Sequence, residues 1–150
     1  MAEKIVARNK KASFEYSLGD RFEAGIVLKG SEIKSVREGK MSLVDVYVEI
    51  KGTEAWLMNA HIAPYEPANR QNHEPKRARK LLLHKKEIRE LWNAVRQKGV
   101  TIIPVKAYLK DGILKIEIAL AKGKKAYDKR SDIAKKDLER EMDRKQKIRY

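Results

Sequence analysis

The sequence predicts a mainly β protein, a small antiparallel barrel with helices packed on it, followed by a charged C-terminal tail. Three observations lead there. Alternating apolar runs come in pairs around turn residues, helical stripes fall between those pairs, and apolar residues thin out abruptly after Tyr127.

Taken in order, RFEAGIVLK (21–29) alternates Phe22, Ala24 and Ile26 with Glu23, Gly25 and Val27, the period of a half-buried strand. SEIKSVREG (31–39) sets Ile33 and Val36 one helical turn apart and ends on Gly39, which predicts a short helix. VYVEIKGTEAWLM (46–58) reads as a hairpin around Lys51-Gly52-Thr53. HKKEIRELWNAVRQKG (84–99) carries Ile88, Leu91, Trp92 and Val95 as an apolar helical stripe, closed by Gly99. TIIPVKAYLKDGILKIEIALAKG (101–123) gives two more strands. Asp111-Gly112 is the turn, and Leu114, Ile116, Ile118 and Leu120 alternate with Lys115, Glu117, Ala119 and Ala121. Pro104 is expected to place its strand, or that end of it, at a sheet edge, because it cannot donate to a ladder. Five or six antiparallel strands with helices between hairpins point to an oligonucleotide-binding-type barrel.

With 150 residues and 42% hydrophobic composition, the chain has room for one domain with a core, plus an appendage. Residues 1–130 are read as the domain and 131–150 as the tail. From Asp128 to Tyr150, 15 of 23 residues are charged, too many to build a core. Ala134, Leu138 and Met142 nevertheless recur at helical spacing, and Asp132/Lys136, Glu141/Lys145 and Asp143/Lys147 each put the acid four residues before the base. The tail is therefore expected to be helix-prone but disordered until a partner orders it.

Charge narrows the partner. A formal net charge of +14 favours a polyanion, either nucleic acid or an anionic membrane surface. No apolar run approaches the roughly 20 residues that span a bilayer, and MAEKIVARNKK lacks the apolar core of a signal peptide, so a cytoplasmic chain is expected. There is no cysteine for a disulfide, thiolate metal site or nucleophile. The bases concentrate in two runs. RQNHEPKRARKLLLHKKEIR (70–89) holds eight Lys and Arg against two Glu, with Leu81, Leu82 and Leu83 as an anchor from which the bases are expected to project. AKGKKAYDKRSD (121–132) places five bases around Tyr127.

The signals for catalysis are weak. His61, His73 and His84 have no short ligand spacing and read as surface or packing residues. Asp45, Glu49 and Glu54 would serve a metal-dependent nuclease, but acids along a hairpin are also its ordinary solvated face. Gly25, Gly30, Gly39 and Gly123 do not form a phosphate-binding loop, so no cofactor and no metal are expected. Trp56, Tyr65 and Trp92 read as core or half-buried residues. A nucleic-acid-binding protein, including a structural ribosomal protein, fits best.

Four stretches go further. FEAGIVLKGSEIKSVREGK (22–40), HIAPYEPANRQNHEPKRARKLLLHKKEI (61–88), KGVTIIPVKAYLKDG (98–112) and ALAKGKKAYDKR (119–130) resemble small protein B, the family that binds transfer-messenger RNA (tmRNA, or SsrA RNA) in bacterial trans-translation. The likeness runs in order over nearly all of residues 8–133. Glu74 stands where the family's HDP motif commonly has aspartate, and beyond Ile133 only the charged, helix-prone character matches.

The resemblance implies a non-enzymatic protein with an oligonucleotide-binding fold. It would bind the tRNA-like domain of tmRNA, replace the missing anticodon arm, and help carry the alanylated RNA to the A site of stalled ribosomes. Elongation factor Tu and alanyl-tRNA synthetase would be indirect partners through the RNA. Motif matching assigns Glu23, Leu82 and His84 to the RNA surface, with Lys122, Lys124 and Lys125 adding phosphate contacts. Tyr127, Asp128, Lys129 and Arg130 would face the small-subunit decoding region, and the tail would probe the empty mRNA channel.

Overall fold

The computed structural model describes residues 3–123. The expectations for Lys124, Lys125, Tyr127, Asp128, Lys129, Arg130 and the tail lie outside the described residues.

The chain opens with β1 (Glu3–Arg8) and a one-turn helix α1 (Ala12–Glu15), then runs through the long strand β2 (Tyr16–Ile26) into α2 (Gly30–Arg37). After β3 (Met41–Ser42) come the hairpin strands β4 (Tyr47–Lys51) and β5 (Glu54–Met58), then β6 (His61–Ile62), a 3-10 turn (Glu66–Gln71) and β7 (Arg79–Leu82). Helix α3 (Lys85–Val95) precedes the long hairpin of β8 (Val100–Lys110) and β9 (Ile113–Gly123). All pairings are antiparallel. The order β8-β4-β5-β7-β2-β9 closes on itself through β8–β9, which makes a six-stranded barrel with β1 added beside β8. β3 and β6 form a separate two-stranded ribbon.

The expected hairpins form for the expected reason. Asp111 (φ +54°) and Gly112 (φ +81°) both take the left-handed conformation that a two-residue turn needs to match strand twist. From there Leu114, Ile116 and Ile118 point inward with Ala24, Leu57, Leu81 and Ile102 to fill the barrel. Leu91 of α3 is fully buried in the same core. Burying a leucine contributes roughly 1.5–3 kcal/mol, so this one residue fixes the helix firmly against the barrel.

Three expectations need correction. Pro104 is not on an edge strand, since β8 pairs with β1, β4 and β9. It stands next to a bulge between Pro104 and Lys106, where β8 passes from its β1 pairs (up to Arg8↔Lys106) to its β4 pair (Val48↔Ile102). A bulge is the other place in a sheet that tolerates a missing N–H. Trp92 is 45% exposed rather than packed, because Leu91 takes the inward position on α3. Its ring is instead covered by Arg96, 5.9 Å away and one helical turn on. Late in β9 the alternation changes meaning. Ala119 and Ala121 are buried on the outward side, where Ala121 packs with Ala12 of α1 and Ile103.

Candidate RNA interface

The site is built by alternation on β2. Because Phe22, Ala24 and Ile26 turn inward, Arg21, Glu23 and Gly25 face out. Register then sets two rows across the outer face. One runs Leu82–Gly25–Lys115–Tyr108, and the other runs Glu23–Glu117–Lys106–Arg8. Arg8, Arg21, Lys106, Lys110 and Lys115 outnumber the acids Glu3, Glu23 and Glu117 on this face, so its net charge is positive. Lys115 belongs to it by topology, although in sequence it was only one of the polar residues of an alternating strand.

Leu82 is one of several large apolar residues left exposed. In β7, Arg79 and Leu81 point inward, and Leu82 is left 52% exposed at the strand's end while Leu81 is only 1% exposed. It is seated on Gly25, where an added Cβ would come 3.4 Å from the Leu82 Cβ and 3.5 Å from its Cδ1. A Cβ at that distance would make ordinary van der Waals contact, so Leu82 packs directly over this point of β2. His84 is also exposed, two residues on, at the N-terminus of α3, where its backbone N–H donates to Glu87 at 3.0 Å. Leu82 thus stands opposite Gly25, with His84 two residues beyond it and Glu23 two residues before Gly25 on β2.

Glu23 is not free on this surface. The Tyr108 hydroxyl donates to its Oε2, and Lys110 Nζ lies 3.9 Å from the same oxygen. Burial foremost, then the bond to Glu23, holds the Tyr108 phenol well above its ordinary pKa range.

Lys122 lies elsewhere. It pairs with Ser17 and Val100 near the far end of β9, seven residues and roughly 23 Å along the strand from Lys115. Strand parity turns it to the opposite face, beside a shallow cleft that includes Ala94, Gln97 and Leu120. The described part of the second basic run is therefore separate from the Glu23–Leu82 cluster. A groove of about 540 Å³ beside Arg8, Lys11 and Tyr47 contains none of the residues assigned by the resemblance.

A buried ionic cluster beneath the site was missed in the sequence. Arg79 was expected to project with its basic neighbours, yet it is 0% exposed, as is Glu32 of α2. Arg79 Nε donates to Glu32 Oε2 at 2.7 Å, and its other nitrogens donate to the Ala60 and Pro75 carbonyls at 2.8 and 3.0 Å. Arg77 grips the same carboxylate at 2.6 and 3.1 Å, and the Lys29 backbone N–H donates to it at 2.7 Å. Burial alone would raise the Glu32 pKa, but Arg77, the Lys29 amide and Arg79 together lower it. The cluster ties α2 to the segment leading into β7 and so sets where Leu82 emerges. Period two, reading back from Leu81 to Arg79, was the available signal.

His73 is a packing residue. Its Nε2–H donates to the Ile62 carbonyl at 2.8 Å, which leaves Nδ1 to accept from the Ser31 hydroxyl at 2.8 Å. Among the described residues no three His, Asp or Glu side chains gather as an ion site, and no helix is long and apolar enough to cross a membrane.

Comparison with known proteins gives the family. The profile of the SmpB protein family matches residues 6–148. An SsrA-binding protein of Desulforudis audaxviator is 56% identical over 95% of this chain and 93% of its own length. One from Carboxydothermus hydrogenoformans is 52% identical over 99% of both chains. Among solved structures, a chain from "tmRNA-SmpB: a journey to the center of the bacterial ribosome" superposes with a TM-score of 0.69 and 42% identity, covering 85% of this chain and 94% of that one. With its closed barrel, its outward Glu23–Gly25–Leu82 cluster and this match along nearly its whole length, the chain belongs to the SmpB family.

Proposed function

We propose that this protein binds the tRNA-like domain of tmRNA and accompanies the alanylated RNA to stalled ribosomes, without catalysis of its own. One observation carries the reading: in a chain of this family, an exposed leucine seated on a glycine stands beside a held carboxylate in a basic field. Lysines supply phosphate attraction, Leu82 offers an apolar surface for an unstacked base or ribose, and Glu23 accepts from base or ribose donors that phosphate lacks. Lys122, Lys124 and Lys125 add phosphate contacts beyond this cluster. Since Lys122 lies at the other end of the β2–β9 ribbon, one RNA touching both must span that ribbon.

In the same reading, Tyr127, Asp128, Lys129 and Arg130 face the decoding region of the small subunit, and residues 131–150 test whether the mRNA channel is vacant. Elongation factor Tu and alanyl-tRNA synthetase act on the RNA rather than on this chain.

Capture of the protein from bacterial lysate, with sequencing of the bound RNA, tests the first part. Strong enrichment of one structured RNA with a tRNA-like end is expected. Recovery of ribosomal RNA alone would overturn the reading in favour of a structural ribosomal protein. For the second part, deletion of residues 131–150 is expected to leave binding to isolated tmRNA nearly unchanged and to abolish peptide tagging. Full tagging by the truncated protein would refute the channel-sensing role.

A further inference from the structure

A carboxylate on a surface meant for a polyanion repels phosphate, so it serves recognition only if it is fixed as an acceptor. Glu23 lies on β2 and Tyr108 on β8, with β9 between them, so their strands run about 10 Å apart. Tyr108 is opposite Lys115 and Glu23 is opposite Glu117, which means the phenol lies across β9 to reach the carboxylate. Gly25, opposite Lys115, adds no side chain to obstruct that row.

Tyr108 is buried although its strand position faces outward. Ile5 of β1 is its strand partner on the other side, and Lys106 stands over its ring at 5.3 Å. A ring held in this way has little freedom, and its hydroxyl is committed to Glu23. Tyr108 and Lys110 both approach Oε2. Among the described residues, no hydrogen bond or ion pair reaches Oε1.

We propose that Tyr108 is a positioning residue for RNA recognition: it fixes Glu23 so that Oε1 accepts a hydrogen bond from a base N–H or a ribose 2′-hydroxyl of the bound RNA. This rests on the reading of Glu23 as an RNA contact. Fixing the carboxylate keeps it from swinging fully onto Lys110, and it gives the basic face a point that turns phosphate away and admits only a donor. That is a device for selectivity more than for affinity.

The test uses the full chain and the tRNA-like domain of tmRNA, with Tyr108→Phe, Glu23→Ala and the double variant. Phenylalanine preserves the buried ring and removes only the donor. Tyr108→Phe is expected to weaken binding roughly tenfold, as for one misplaced hydrogen bond to the RNA, with a small drop in melting that Glu23→Ala shares and with the salt dependence of binding unchanged. Glu23→Ala should weaken binding at least as much, and the double variant no more than Glu23→Ala alone. Preference for the tRNA-like RNA over an unrelated folded RNA should fall in both single variants, which a purely structural role would not produce. Substituting 2′-deoxyribose, or inosine for guanine, at contacted nucleotides tells ribose from base donors. Wild type should lose affinity to one of these changes, and Tyr108→Phe to neither. Wild-type affinity in Tyr108→Phe alongside a weakened Glu23→Ala, or a further loss in the double variant, would overturn the positioning role alone. Unchanged binding by Glu23→Ala would instead overturn the reading of Glu23 itself.

Discussion

The two ends of β7 depart from the usual burial rule in opposite directions: Arg79 at its start is wholly enclosed, whereas Leu82 at its end is 52% exposed. The buried charge is fully answered. Glu32 and two backbone carbonyls take its donors, so it serves the fold by locking α2 to the approach of β7. The exposed leucine stands over Gly25 and keeps about half of its surface open to solvent, where a partner can reach it. A polar residue inside is thus explained by its partners, and under the proposed function an apolar residue outside is explained by the RNA it meets.

The largest expected effect lies at the buried end. Glu32→Ala leaves the Arg79 guanidinium enclosed without its anion, so chemical denaturation should show a loss of about 3–5 kcal/mol. A loss under about 1 kcal/mol would mean that the cluster does not hold the fold.

Neighbouring leucines sharpen the contrast. Leu81→Ala empties a core position and should cost about 2–5 kcal/mol, while Leu82→Ala should stay within about 0.5 kcal/mol. Equal losses at the two positions would remove the distinction between inner and outer faces.

A smaller effect concerns pH. The folded-state pKa of Glu32 is lowered, so its ionised form contributes stability at pH values above the unfolded carboxylate pKa of about 4.3. That contribution is lost as pH falls through the folded value. The stability gap between wild type and Glu32→Gln should therefore be constant near neutrality and narrow below about pH 4. A gap that widens on acidification would contradict the assigned charge state.

Much of the barrel was legible because its strands declare their period. The hairpins at 47–58 and 100–123 carry alternation and turn residues in the same stretch, and α3 carries its stripe and its terminal glycine. What failed was long-range. β1 has a short, half-polar sequence and owes its strand form to β8, about a hundred residues away. β7 was hard to read because three successive leucines blur a period of two, so the inward turn of Arg79 and the exposure of Leu82 follow from that period only once Leu81 is known to be the inward leucine. The resemblance assigned Glu23 and Leu82 to the RNA surface, but only the register places Leu82 opposite Gly25 in one row with Lys115 and Tyr108, and Glu23 in the adjoining row. Tyr108 looked like one more residue of an alternating strand, since its partner Glu23 is two strands away.

Binding of the tRNA-like RNA by Leu82→Ala, measured on the same preparation as its melting curve, tests the outward-facing cluster most directly. Affinity should fall by roughly tenfold, as for one desolvated apolar contact, while melting matches wild type. Wild-type affinity, or a loss that appears only together with a lowered melting temperature, would show that Leu82 is not part of an RNA surface.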